Sequence, residues 1–254
     1  TARRDVGAAS YGGDKAIFGY GIISSVTGIT NLVNNSGVVA ADVSAVGTAR
    51  RDVAAVGYGV DLAMFAYGDS GSKTNLKNLV TNQGVVGANV TGVGTARGDL
   101  AASRYGVGLG IFGYGNTGSK VSITNLVTNV GVIGTDVSGV GTARQSLAAC
   151  TFGGDKAIFG FGKDGSNETS ITNLVSNVGV VAADTTGVGT AREKLGACSF
   201  GGDKGIFAFG VDNGGGGRVS TSNLVSNVGV VASNTTGVGS VTNRLGAAGF
   251  SFSA

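Results

Sequence analysis

The sequence predicts an all-β protein made of tandem repeats, and three observations predict it. The phrase Thr-Ala-Arg recurs at Thr1, Thr48, Thr95, Thr142 and Thr190, at spacings of 47, 47, 47 and 48 residues. Glycine fills 49 of 254 positions while Val, Ile, Leu, Phe and Tyr return at fixed places. That pattern excludes a collagen triple helix, which needs Gly at every third place, and a flexible linker, which lacks recurring apolar residues. No segment of ten or more residues keeps an apolar stripe of helical period, and dense Gly, Val and Thr disfavour helix.

The units run 1–47, 48–94, 95–141, 142–189 and 190–239, followed by a partial sixth, 240–254, in one domain spanning 1–254. Each full unit is expected to contain four short strands. In the fourth, they are SLAACTF, KAIFGFG, SITNLVSN and VGVVAADT, separated by Gly, Asp, Asn, Ser and Thr clusters. In the second run, alternation sets Ala157, Phe159 and Phe161 on one face and Ile158, Gly160 and Gly162 on the other. Gly153-Gly154-Asp155 joins the first two runs as a tight hairpin, since these residues tolerate positive φ. The first and fifth units repeat it as Gly12-Gly13-Asp14 and Gly201-Gly202-Asp203.

Four strands per repeat of roughly 40–50 residues is the arithmetic of a propeller blade. The expectation is a five-bladed β-propeller of four-stranded antiparallel blades, closed by a C-terminal strand. The first run, rich in Ala and Gly, goes innermost, where a narrow axis demands small residues. Phe18, Phe65, Phe112, Phe159 and Phe207, with Leu32, Leu79, Leu126, Leu174 and Leu224, pack the blades together. The tail 240–254 repeats only the first run, which residues 1–11 already supply. One copy is thus redundant in a five-fold ring. The preferred reading is a displaced N-terminal copy, or one continuing an upstream array; the alternative is a ring that is not five-fold. The start at Thr1, within a repeat phrase and without Met, is read as a sign of residues upstream.

The run Arg144, LAAC, GGDK, AIFGFG resembles kelch-type propeller repeats, in which an Arg precedes an apolar strand, a tight turn and an aromatic strand ending in glycines. The resemblance spans the whole chain, one blade per repeat. The kelch double glycine stands here as Gly-Tyr-Gly or Gly-Phe-Gly, and the characteristic Trp is missing throughout. The phrases GGDKAIFGFG and TNLVSNVGVVAADTTGVGTAR are also similar to repeats in proteins of marine bacteriophages and environmental bacteria. That resemblance implies a virion or surface-appendage protein.

The chain has no His, which removes the commonest general base and metal ligand, along with the copper ligands that a kelch-type oxidase would need. The net charge is a scattered +3 without a Lys/Arg run, so neither nucleic acid nor an anionic membrane is called for. No apolar stretch approaches the roughly 18 residues of a membrane span. Cys150 and Cys198 occupy equivalent places in adjacent units and are read as small core residues, a disulfide between neighbours being the alternative. One Asp per first turn (Asp14, Asp61, Asp155, Asp203) is too few oxygens for calcium and is read as turn chemistry.

Two recurrent features remain. Arg3, Arg50, Arg97, Arg144 and Arg192 form a five-fold set. They are candidate ligand-binding residues for an anionic ligand or sugar carboxylate; the alternative is that each bridges neighbouring blades through Asp42, Asp136, Asp184 or loop carbonyls. Asn31, Asn78, Asn125, Asn173 and Asn223 are expected to satisfy loop backbone. Sequence variation concentrates in the loops 22–28, 69–74, 116–122, 163–170 and 211–220, as suits recognition. The expected function is therefore a non-enzymatic structural, display or adhesion module, extracellular or on a virion surface. Its expected partners are surface proteins and copies of itself, with no cofactor. The alternative is a carbohydrate-binding lectin with glycans bound on one loop face, a reading weakened by the scarcity of aromatic platforms.

Overall fold

The computed structural model describes residues 1–249, and among them it contains strands and turns but no helix. Each full repeat forms one three-stranded antiparallel sheet. The first strands are Gly7–Tyr11, Ala54–Tyr58, Ala101–Tyr105, Ala148–Phe152 and Gly196–Phe200. The second are Lys15–Gly19, Leu62–Ala66, Leu109–Gly113, Lys156–Gly160 and Lys204–Ala208. The third are Thr30–Val33, Lys77–Val80, Thr124–Val127, Thr172–Val175 and Ser222–Val225. Register is the same throughout: Ala9 opposes Ile17, which opposes Leu32, and Ala149 opposes Phe159, which opposes Asn173. The hairpin glycines hold the conformation their position requires, φ +60° at Gly153 and +79° at Gly154.

The expectation of four-stranded blades is corrected. The fourth run touches the third strand through two isolated bridges, Thr30–Val43 and Val33–Val39 in the first repeat, with equivalents in the other four. Between those bridges the edge segment advances four residues while the strand advances three, so the ladder cannot continue without a bulge. The Asn31 side chain fills the mismatch by donating to the Ala40 carbonyl at 3.1 Å. The apolar pattern of this run is left largely in solvent: Val38 is 61% exposed and Val130 71%.

The repeats join through backbone as well as side chains. The Asp52 N–H donates to the Asp5 carbonyl, Asp99 to Asp52, Ser146 to Asp99, Lys194 to Ser146, Arg244 to Lys194 and Asp5 to Arg244, at 2.8–3.3 Å. These six bonds form a closed cycle. The five full repeats and the partial sixth each contribute one member. The tail therefore neither duplicates nor displaces the first strand of the first repeat: Gly246 lies beside Val6 and Ala8, and Gly196 beside Leu245 and Ala247. The hydrogen-bonded cycle has six members rather than the five that the full repeats alone would give.

The first strands and the tail together line a cavity of about 80 Å3 with small side chains, including Ala9, Ala55, Ala102, Ala149, Cys198 and Ala248. Both cysteines are free thiols. Between repeats, Phe65 meets the Tyr20 ring edge-on at 5.0 Å, Phe112 meets Tyr67 at 5.3 Å, Phe159 meets Tyr114 at 5.2 Å and Phe207 meets Phe161 at 5.1 Å. At three of these joints the glycine at the end of the preceding second strand makes room: a Cβ at Gly19 would stand 2.7 Å from the Phe65 ring, and Gly113 and Gly160 face Phe159 and Phe207 in the same way, while Ala66 stands at the joint to Phe112.

Candidate functional site

Four of the five recurrent arginines are built into the joints. Arg50, Arg97, Arg144 and Arg192 are 0% exposed, and each guanidinium lies 4.2–4.3 Å above an aromatic ring of the preceding repeat: Tyr20, Tyr67, Tyr114 and Phe161. Arg97 shows the full pattern. Its Nε donates to the Tyr114 carbonyl at 2.8 Å, Nη1 to the Thr95 carbonyl at 3.1 Å and Nη2 to Asn125 Oδ1 at 2.7 Å. Cation–π stacking on a desolvated guanidinium is a strong arrangement, worth on the order of 2 kcal/mol. The donors of these candidate ligand-binding arginines go to loop carbonyls and, in Arg50, Arg97 and Arg144, to an Asn side chain rather than to solvent. Among the described residues Arg3 alone lacks an aromatic ring; its Nη2 reaches only the Phe18 carbonyl, at 3.4 Å. Burial pushes Arg192 down to about 10, so it stays charged at neutral pH.

The asparagines behave as the sequence predicts. Asn125 Nδ2 donates to the Gly134 carbonyl and to Asp136, and Asp136 in turn accepts from the Thr95 N–H and hydroxyl. Asp184 and Thr142 repeat this clasp, and in two repeats Asn89 and Asn234 replace the Asp. The first-turn carboxylates Asp14, Asp61 and Asp155 accept from Asn35, Asn82 and Asn177, tying the hairpin turn to the next loop of the same repeat.

A different group of residues reaches the mouth of the axis. The six members of the backbone cycle, Asp5, Asp52, Asp99, Ser146, Lys194 and Arg244, all hold φ between 53° and 58°. Asp adopts this left-handed region more readily than other non-glycine residues. Together they rim a cavity of about 120 Å3 floored by Val6, Val53, Leu100, Leu147, Leu195 and Leu245. One half of the rim is acidic and the other half Ser, Lys and Arg. Arg244 Nη1 closes the rim by donating to both Asp5 oxygens at 3.1 and 3.0 Å. Lys73 approaches Asp99 at 3.9 Å, and the Arg51 Nε lies 3.4 Å from Asp52. Burial, then the neighbouring charges of Asp99 and Asp5, push Asp52 up to about 7, against the pull of Lys73 and Arg51. Asp99 is pushed up as well, first by burial. Among the described residues no three His, Cys, Asp or Glu side chains come together as a metal-binding group.

The variable loops surround this mouth. Each is tied beside the rim by backbone pairing: Arg4 with Ile22, Arg51 with Asp69, Gly98 with Asn116, Arg144–Gln145 with Lys163–Asp164, and Glu193 with Val211. Neighbouring loops also touch one another, Lys120 donating to the Gly165 carbonyl and Asn213 to Glu168. Sequence reasoning found the loops but missed the rim. The signal was present, since Asp5, Asp52 and Asp99 recur at the 47-residue period, four residues after each Thr-Ala-Arg threonine. No protein-family model matches the chain, and no curated protein matches its sequence.

Proposed function

We propose that this chain is a non-enzymatic binding and display module of β-propeller form. In this reading its ring has six positions, the sixth filled only by an inner strand, and it presents one variable loop face to a partner on a virion or cell surface. The observation that carries the reading is the division of labour within the repeat. Residues that recur around the ring are spent on joints, whereas the segments that differ in length and charge all stand around one polar mouth. Such a scaffold tolerates change in its loops without cost to its core. Several copies on one surface would turn weak single contacts into avidity.

A protein partner is favoured over the lectin alternative by where the aromatics lie. All six tyrosines are buried, so none stands on the loop face as a stacking platform for a sugar ring. The test is a binding screen of immobilised 1–254 against arrays of surface proteins and glycans. It runs beside a variant whose 163–170 and 211–220 loops are replaced by Gly/Ser of equal length. Specific protein binding that disappears in the variant while its melting temperature is unchanged supports the reading. Binding that survives loop replacement overturns it, and hits confined to glycans would transfer the face to the lectin reading.

A further inference from the structure

At the hairpin end of the sheets, away from the rim, the joints between repeats are not all packed alike. Two of them hold an open apolar pocket at the same place. Between repeats four and five it measures about 480 Å3 and is lined in part by Phe152, Lys156, Leu174, Val180, Ala182 and Asn227. Between repeats one and two it measures about 360 Å3, and Tyr11, Lys15, Leu32, Val38, Ala40 and Asn82 stand in the equivalent positions. The first residue of the second strand sets the difference. It is Lys15 and Lys156 at these joints, but Leu62 and Leu109 in repeats two and three, where the leucine packs against the core of the joint. The lysine stem leaves that place open, because each ammonium turns toward the hairpin carboxylate: Lys156 Nζ lies 2.9 Å from Asp155 Oδ1 and Lys15 Nζ 3.7 Å from Asp14 Oδ1.

We propose that these two pockets bind an aliphatic carboxylate, a single hydrocarbon chain with a free acid head. Both volumes fall in the range of about 300–1,000 Å3 of small-molecule sites, and both pockets share the usual make-up of such sites, apolar walls with a few polar groups. Leu62 and Leu109 show what the place accepts, since an aliphatic group already packs there in the other two repeats. Val38 and Val180 stand 61% and 63% exposed, so a chain laid over them removes apolar surface from water. The head group is set by the lysine. Lys156 spends one of its three donors on Asp155, whose other oxygen accepts from Asn177, and two donors are left for a carboxylate. Lys15 Nζ, at 3.7 Å, is beyond hydrogen-bonding distance of Asp14. Asp14 and Asp155 offset part of the charge, so the head is held by charge-assisted hydrogen bonds rather than by a net field. These pockets lie at the other end of the sheets from the variable loops, so this inference and the loop-face reading can fail separately.

The probe is sodium decanoate, titrated into intact 1–254 below its micelle concentration and followed by calorimetry and by the methyl NMR signals of Val38 and Val180. Two molecules are expected to bind per chain. Lys15→Leu and Lys156→Leu copy the residue that repeats two and three carry, so both variants should melt as the parent does. Each is expected to lose one site, and the double variant both. Lys15→Gln combined with Lys156→Gln keeps the pockets open but removes the ammonium, and should weaken binding about tenfold, as loss of a hydrogen bond to a charged group does. Decyltrimethylammonium, with the same chain and the opposite head charge, should bind no more tightly than decanoate binds the Gln variant. Three results would overturn the proposal: no saturable binding at millimolar decanoate, undiminished binding by the double Leu variant, or equal affinity for decanoate and decyltrimethylammonium. Uptake that rises without saturation would overturn it as well, by assigning the effect to adsorption on exposed valines.

Discussion

The joint between repeats two and three and the gap between repeats five and one are built from the same sequence pattern, yet only the first is filled. In the joint, Phe112 is edge-on to Tyr67, Arg97 covers that tyrosine, and Arg97 reaches Asn125. At the gap, the equivalent Phe18 is only half-buried and Arg3 has no ring beneath its guanidinium, and among the described residues no sheet stands beside them. The difference teaches that the repeat is not a self-sufficient unit. Its aromatic and cationic residues acquire their energetic role only when the preceding repeat supplies a ring and the following one a Phe, as expected of arrays whose stability lies largely in nearest-neighbour interfaces.

The comparison can be broken most strongly at the phenylalanines. Phe112→Ala should cost about 3–5 kcal/mol, because it empties a fully buried site, whereas Phe18→Ala should cost about 1–2 kcal/mol, because part of that side chain is already in solvent. Urea unfolding of the two variants checks the ratio, and equal losses would erase the distinction. The arginines give the next largest effect. Arg97→Lys keeps the charge but forfeits the planar fork and strands Asn125 Oδ1, a loss of about 2 kcal/mol. Arg3→Lys, with no aromatic and no Asn bond to lose, should change stability by less than about 1 kcal/mol.

How much of this was legible follows from where each constraint lies. The three strands, the Gly-Gly-Asp hairpin and the structural asparagines are local, and the repeat displays them five times. The fourth run misled because its Val-Gly-Val-Val pattern reads as a buried strand. Its fate is decided instead by the Asn31-type amide that bridges a four-against-three mismatch. The number of places in the ring was open because the tail copies only an inner strand, and composition alone does not say whether an inner strand replaces another or stands beside it. The acidic half-rim was hidden because residues 47 apart meet only once the ring closes.

That half-rim supplies a smaller, pH-dependent prediction. The folded state holds the Asp52 proton up to about pH 7, well above the 3.8 of an ordinary Asp. Asp52 therefore contributes stability below about pH 4, and that contribution is lost as pH rises from about 4 to about 7. Asp52→Asn, which tolerates the same positive φ, should flatten this fall and raise the melting temperature at pH 8 by a few degrees. Thermal scans at pH 5 and pH 8 test it; an unchanged pH slope would mean that the three carboxylates are better solvated than their burial indicates. The smallest effect is expected at the loops, where replacing Lys120 or Asn213 should move stability by no more than about 0.5 kcal/mol.

The central claim is that the chain closes through six backbone places, with the tail standing between the fifth repeat and the first. Hydrogen exchange at the Asp5 amide tests it most directly, because that N–H donates to the Arg244 carbonyl. The account predicts that Asp5 exchanges about as slowly as Asp52 and Asp99 in the intact chain, and that removing 240–254 exposes the Asp5 amide while Asp99 stays protected. An Asp5 amide that exchanges at the rate of an unstructured peptide in the intact chain would contradict it.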